Sequence, residues 1–268
     1  MKKTIGIVAA LPGEAKALLG RPSWRKANGF LHSRTVLKDE TELVVVQSGM
    51  GMDNAFSAAG WLSEKGVAAL GCFGVSGGLD PELGVGGLVF ADAVFVERDD
   101  GVSLVWKKGG CESDVTFNLE AAKGLTPSWG PVITVQTPVL NAVGKRALFD
   151  RTGAMAVDME TAAVARAASG SGLPFFAIRT ICDSADVTIP ESIYQCVDQQ
   201  GRPRFPHLFR MIIRKPVLIS HLLRMKRDFS AALSGVPHVL RCLAGMRMPQ
   251  GYLFEGCRAQ LSGCRKNC

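Results

Sequence analysis

Short apolar runs recur along the chain, each closed by glycine, proline or an acid. Residues 4–10, 41–49, 67–75, 86–97, 131–137 and 173–186 are such runs. Most are continuously apolar rather than alternating, as in strands buried on both faces. Between them the apolar positions take a helical spacing. A helix is predicted to start at Pro12, a second to run from about Asp53 to Lys65 with Phe56, Ala59 and Leu62 among its apolar positions, and a third to lie around 141–151. The segment AVDMETAAVARAA, 156–168, is predicted to be helical throughout. Residues 98–128 are irregular and polar and are expected to form a surface excursion. The alternation predicts an α/β fold, a single domain whose central mixed β-sheet is flanked by helices. From Pro190 onward the pattern changes to a loop and then to basic helices, with breaks expected at Pro216 and Pro237. The expected division is a domain over 1–190, a basic amphipathic helical extension of it over 191–246, and a flexible tail over 247–268.

Charge sharpens this division. The 268 residues carry a net +7, but residues 1–190 hold 18 basic and 20 acidic side chains while residues 191–268 hold 13 and 4. The stretch HLFRMIIRKPVLISHLLRMKRDF, His207 to Phe229, is oily and basic and has no acid before Asp228. Its cations alternate with Leu, Ile, Met and Phe rather than with stacking aromatics and glycine. That pattern suits an anionic lipid surface better than nucleic acid. Phe209, Ile212, Ile213, Leu218, Leu222 and Met225 are expected on the lipid side. Arg210, Arg214, Lys215, Arg224, Lys226 and Arg227 are expected at the headgroups, each contributing about 1 kcal/mol near the surface. The alternative is that these helices pack on the rest of the protein or on a partner. No apolar stretch reaches the roughly 18 residues needed to cross a membrane. The run TIGIVAA is short for a signal peptide and breaks at Pro12-Gly13-Glu14, so a cytoplasmic protein, peripheral at the inner membrane face, is expected. The eight cysteines form no CxxC, which suits reduced thiols. Cys257, Cys264 and Cys268 match no zinc spacing, and neither a metal nor another cofactor is expected.

Three loops follow strand-like runs and carry polar groups, at the sheet edge where α/β proteins bind ligands. In Leu11-Pro12-Gly13-Glu14, Glu14 falls near a helix N-terminus, where an acid also serves the helix dipole. In GVSGGLD, Gly74 to Asp80, the glycines allow close backbone approach and Ser76 offers a hydroxyl. This is not a nucleophile elbow, since Gly77 directly follows the serine and no histidine is near in sequence. The third place joins VDMETAA and IRTICDSAD. Asp158 and Glu160, two apart on a helix, would point about 200° apart and not act together. Arg179 and Asp183 bracket a strand end, where 179, 181 and 183 share one side by parity. Partial burial there would raise the pKa of Asp183, and an Arg179–Asp183 ion pair is the structural alternative.

Taken in order, Ile-Gly-Ile-x-x-Ala-x-x-x-Glu, Gly-x-Ser-Gly-Gly, Val-Asp-Met-Glu and Arg-x-x-x-Asp resemble the nucleoside phosphorylase/nucleosidase superfamily. The closest likeness is to its hydrolytic branch of methylthioadenosine/adenosylhomocysteine nucleosidases, and it covers roughly residues 4–190. The resemblance implies N-glycosidic cleavage with Asp183 protonating the purine, Glu160 holding the ribose hydroxyls under Met159, and Glu14 positioning or activating water. It places Ser76 and Arg179 around the water or anion pocket, Gly77 among the substrate-binding residues, and Val139 and Leu140 at the adenine. An oxocarbenium-like sugar and a purine leaving group need such groups. Where bacterial phosphorylases of the superfamily carry two arginines, this chain has Phe73 and Ala17, which favours water over phosphate, with Lys16 leaving phosphorolysis open. The tail, with Asp-x-x-Gly-Arg, an Arg-Lys-Pro break and Leu-Leu-Arg before Asp228, resembles that of hopanoid-associated nucleosidases, which release adenine from adenosylhopane. The resemblance therefore implies a lipid-linked nucleoside substrate, contact with the membrane through 203–246, no nucleic acid and a homodimer. The alternatives are a methylthioadenosine, adenosylhomocysteine or futalosine nucleosidase, a phosphate-using phosphorylase, and a non-catalytic membrane-binding homologue.

Overall fold

A computed structural model describes residues 3–109, 115–122, 126–194, 198 and 218–249. In chain order the elements are β1 (Thr4–Ala9), α1 (Pro12–Leu19), β2 (Arg25–Ala27), β3 (Phe30–Val36), β4 (Glu42–Gln47), α2 (Met52–Glu64), β5 (Ala69–Gly78), β6 (Leu88–Arg98) and β7 (Gly101–Lys107). There follow β8 (Ser128–Thr134), α3 (Ala142–Thr152), β9 (Ala156–Asp158), α4 (Thr161–Gly170), β10 (Phe175–Asp183), α5 (Glu191–Tyr194), α6 (Leu218–Leu233) and α7 (Val236–Ala244). The expected α/β architecture, helices around one mixed sheet, is what the chain adopts.

The sheet closes on itself. β5 pairs in parallel with β10, β10 antiparallel with β6, β6 and β8 in parallel, β8 and β9 in parallel, and β9 antiparallel with the end of β5. An open wing, β1-β4-β3-β2, extends from the other edge of β5. The glycine-rich end of β5 permits this branching, because Gly77 faces both Val157 and Asp183. One side of the sheet packs on α2 and α4 through small residues, Ala55, Ala58, Ala59, Ala162 and Ala163, which let helix and strand backbones approach closely. The other side packs Ile5, Ile7, Phe73 and Phe90 against Leu18 of α1 and against Val239 and Leu243 of α7.

Four sequence expectations change. Residues 156–158 are a strand, not the first turn of a helix, since Ala156 and Val157 are held between β5 and β8 and the helix begins only at Thr161. The polar segment 98–128 contains β7, which hydrogen-bonds along β6 and shows mostly exposed side chains. Pro237 lies in the first turn of α7 and so opens that helix instead of ending one. In α6, Leu218 is 5% exposed and faces inward, so it is not on a lipid-facing side, whereas Ile219, Leu223 and Met225 are exposed. The positions from His207 to Lys215, the break at Pro216 and the three last cysteines lie outside the described residues.

The C-terminal helices are thus part of the fold. Val236, Val239, Cys242, Leu243 and Met246 are all buried in the sheet-side core. The Phe229 ring of α6 rests on Gly13, where a Cβ would come within 2.7 Å of it. Leu243→Ala is expected to lower the unfolding free energy by about 2–5 kcal/mol, measured by urea denaturation, while Arg241→Ala on the exposed side of the same helix changes it little.

Candidate active site

The carboxyl ends of the parallel strands β1, β4, β5 and β10 meet, and the candidate residues gather there. β1 runs directly into α1, so Glu14 sits in the first helical turn, only 1% exposed. Its Oε2 accepts from the Leu11 amide at 2.8 Å and its Oε1 from the Val75 amide at 2.8 Å. The carboxylate therefore caps its own helix and also ties it to β5. Burial raises its pKa, against the pull of these amides and of Arg179. Gly74 makes the approach feasible, since a Cβ there would lie 2.6 Å from both Glu14 Oε1 and Arg179 Nη1. The glycines of GVSGG thus make room for charged side chains of the protein itself.

Arg179 is 1% exposed. Its ion pair is with Asp158, Nε to Oδ2 at 2.7 Å, and not with Asp183. It also donates to Thr161 Oγ1 from Nε at 3.0 Å and from Nη2 at 2.7 Å, and from Nη2 to Cys72 Sγ at 2.9 Å. Burial works against its charge, and Asp158, with Glu160 and Glu14, more than offsets that. The Cys72 thiol beside it is pushed up to about 12 by burial. Asp158 also accepts from Thr134 Oγ1 at 2.8 Å and from the amides of Glu160 and Thr161 at 3.1 and 3.2 Å. It anchors the start of α4 from the end of β9.

Glu160 follows at the N-cap of α4, 6% exposed. Because 156–160 is not helical, the opposition of Asp158 and Glu160 expected across a helix does not apply. The Gly51 amide donates to Glu160 Oε1 at 2.7 Å and the Met159 amide to Oε2 at 3.3 Å. Burial, and then the neighbouring Asp158, raise its pKa to about 7. Met159 packs, half-buried, against the cluster of Leu79, Ile133, Val135 and Val157.

At the end of β10 the register against β5 slips between Ile181 and Asp183, so the simple parity of 179, 181 and 183 does not run through. Asp183 lies opposite Gly77. A Cβ on Gly77 would sit 3.3 Å from Asp183 Oδ2, another close approach that glycine permits. Asp183 pairs with Lys145 of α3, a residue with no exposed surface. Its Oδ1 accepts from the Cys182 thiol at 3.1 Å. Burial raises the pKa of Asp183, Lys145 and Cys182 lower it, and Asp228 of α6 raises it. The neighbouring Ser76 hydroxyl is buried and has no protein partner. Val139 and Leu140 lie in the loop before α3, half-buried. That loop is laced to the segment after Asp183, with the Ile189 amide on Leu140 O at 2.7 Å and the Ala142 amide on Thr188 Oγ1 at 3.2 Å.

One frame thus joins Glu14, Ser76, Gly77, Arg179 and Asp183 through β5 and β10, and Glu160 joins it through Asp158. Sequence reading missed two of its members, the Asp158 partner of Arg179 and the Lys145 partner of Asp183. Lys145 had a signal: it stands three residues before Leu148, on the buried stripe of α3, where a charge needs a partner.

The sequence model of the phosphorylase superfamily matches residues 4–202. The chain belongs to this superfamily. A 5′-methylthioadenosine/S-adenosylhomocysteine nucleosidase of Marinomonas sp. is 30% identical over 172 residues, 56% of this chain and 72% of that protein. Two solved structures from Helicobacter pylori share the fold, a 5′-methylthioadenosine/S-adenosylhomocysteine nucleosidase and a futalosine hydrolase. Each aligns with TM-score 0.65 at 16% identity, over 90% and 91% of this chain respectively and 98% of the other.

The raised pKa of Glu160 has a thermodynamic consequence. A carboxylate whose pKa rises on folding stabilises the protein fully below its unfolded value, 4.5, and loses that contribution as pH climbs through about 7. Glu160→Gln cannot titrate. Its melting temperature relative to the parent is expected to improve by several degrees between pH 5 and pH 8, read by thermal denaturation.

Proposed function

We propose that this protein hydrolyses the N-glycosidic bond of a 5′-substituted adenosine and releases adenine, and that its nucleoside is adenosylhopane, a step of hopanoid biosynthesis. The observation that carries the chemistry is the trio of carboxylates drawn out of water, Glu14 and Glu160 buried and Asp183 half-buried, each provided with different neighbours. Asp183, with a pKa raised by burial, gives its proton to N7 of the purine as the C1′–N9 bond breaks and its electrons pass into the base. Glu160 accepts the ribose hydroxyls, bonds that strengthen as positive charge develops on the sugar, and Met159 packs on the sugar face. Water adds at C1′ and loses its proton to Glu14, and the unpartnered hydroxyl of Ser76 is suited to hold that water. Val139 and Leu140 wall the adenine.

The disposition of cations supports water over phosphate. Arg179 is committed to Asp158, Lys16 points to solvent, and a buried Phe73 and a half-buried Ala17 stand where the superfamily's phosphorylases carry arginines. A phosphate dianion beside Glu14 would lack compensation.

The lipid-linked substrate is supported by α6. Ile219, Leu223 and Met225 are 43, 64 and 37% exposed among the exposed Arg224, Lys226 and Arg227. The same helix meets β10 and rests Phe229 on Gly13, one residue from Glu14. A surface suited to an anionic bilayer therefore adjoins the site. The protein would then work at the cytoplasmic face of the membrane, as a homodimer by analogy with the hydrolytic branch. A second reading, a soluble nucleoside such as methylthioadenosine, adenosylhomocysteine or futalosine, is favoured by the activities of the similar proteins.

Adenosylhopane incubated with the protein should yield adenine and the free sugar by mass spectrometry, with no sugar phosphate when phosphate is added. Asp183→Asn should slow release by about 10²–10⁴-fold. No adenine from any 5′-substituted adenosine rejects the nucleosidase reading, and full activity of that variant rejects Asp183 as its acid. Removing 203–246 would strip the core of α7, so the membrane contact is better tested by one exposed residue. Leu223→Glu is expected to reduce co-sedimentation with anionic vesicles and to leave release from a soluble nucleoside unchanged.

A further inference from the structure

Lys145 is the feature that the proposed reaction leaves without a task. It is wholly buried, although a lysine in that place costs several kcal/mol of desolvation unless it is fully engaged. Its ammonium makes three contacts, to Asp183 Oδ2, to the Ser184 carbonyl at 2.8 Å and to the Val187 carbonyl at 3.1 Å. An ammonium has three protons, so its donor capacity is matched within the turn 183–187. The anchor is rigid, because α3 is capped next to it by Asn141, whose side chain accepts from the Gly144 amide at 2.7 Å. A residue serving only to fill this space would be apolar, as its neighbour Leu148 is.

We propose that Lys145 is a positioning residue for proton delivery: it fixes the Asp183 carboxyl group through Oδ2 and stabilises the carboxylate left when the proton has passed to the purine. This rests on the nucleosidase reading. As N7 takes the proton and the C1′–N9 electrons enter the base, Asp183 turns from neutral acid to anion. The counter-charge for that anion is already in place at Oδ2, with no reorganisation at the moment of reaction. Engaging Oδ2 also leaves Oδ1, whose contact is the weak donor of the Cys182 thiol, as the oxygen that turns to the base. The charged and titratable groups acting on Asp183 come from three elements: Lys145 of α3, Cys182 of β10 and Asp228 of α6. Asp228 is itself paired with Arg224 at 3.5 Å and Arg227 at 3.1 Å. Lys145 is the cation among them in direct contact.

The test separates proton delivery from mere structural support. Lys145→Met and Lys145→Gln are compared with the parent on a 5′-substituted adenosine and on 4-nitrophenyl riboside, whose leaving group departs without protonation. Expected is a loss of about 10²-fold in kcat for adenine release, little change in KM, and a loss on the nitrophenyl riboside at least tenfold smaller. The alkaline limb of kcat/KM should move to higher pH, because removing the cation makes Asp183 a weaker acid. Lys145→Arg keeps the charge; if the neutral variants do not fold, its displaced cation should produce the same split in smaller degree. Equal losses on both substrates with an unmoved alkaline limb, or full activity in a folded neutral variant, overturn the proposal while leaving the nucleosidase reading intact. Failure of the parent to release adenine overturns both.

Discussion

The buried guanidinium of Arg179 is the constraint around which the site is arranged. A cation removed from water has to be matched in charge and in hydrogen bonds, or the fold loses several kcal/mol. Asp158 supplies the charge, and Thr161 and Cys72 take further donors. Asp158 in turn binds Thr134 of β8 and the first amides of α4. One ion pair thus fastens β10, β9, β8 and α4 together, sets Glu160 at the head of α4, and leaves Nη1 beside Glu14 across the space that Gly74 keeps open.

The same frame makes three acids of similar chemistry unlike one another. Burial raises the pKa of all three. What opposes it differs in kind: chiefly backbone amides and Arg179 for Glu14, Arg179 and the Gly51 amide for Glu160, and the Lys145 ammonium for Asp183. Environments that separate titratable groups in this way are a precondition for any division of acid and base work between them. The basic helix α6 belongs to the same unit. Its inner side carries Phe229 and Asp228 towards the site, and its outer side carries exposed apolar residues and cations.

Much of this is legible in the order of residues. Runs such as TIGIVAA and ELVVVQ are buried on both faces of a sheet, and their composition says so. The acids after them stand where parallel strands end. The failures have physical causes. AVD in 156–158 runs straight into an alanine-rich helix, and it is pairing with Gly77 and Gly78 of β5 and with residues 132–134 of β8 that makes it a strand. β7 escaped notice because its short apolar run, Val102 to Trp106, is flanked by polar sequence and most of its side chains stay exposed along the edge of β6. Leu218 is buried while Leu223, on the same helix, is exposed, because one side of α6 packs against the sheet.

By itself, then, the sequence determined the element types with strong hydrophobic periodicity, the presence of glycine where backbone and charge must approach, and the identity of the acids at the strand ends. Those are local properties, carried by residues close in the chain. Tertiary structure decided the partners. Arg179 chose Asp158 over Asp183, and Asp183 took Lys145 from a helix 38 residues away. Burial and charge matching are set by what the fold brings together, and no spacing along the chain records them.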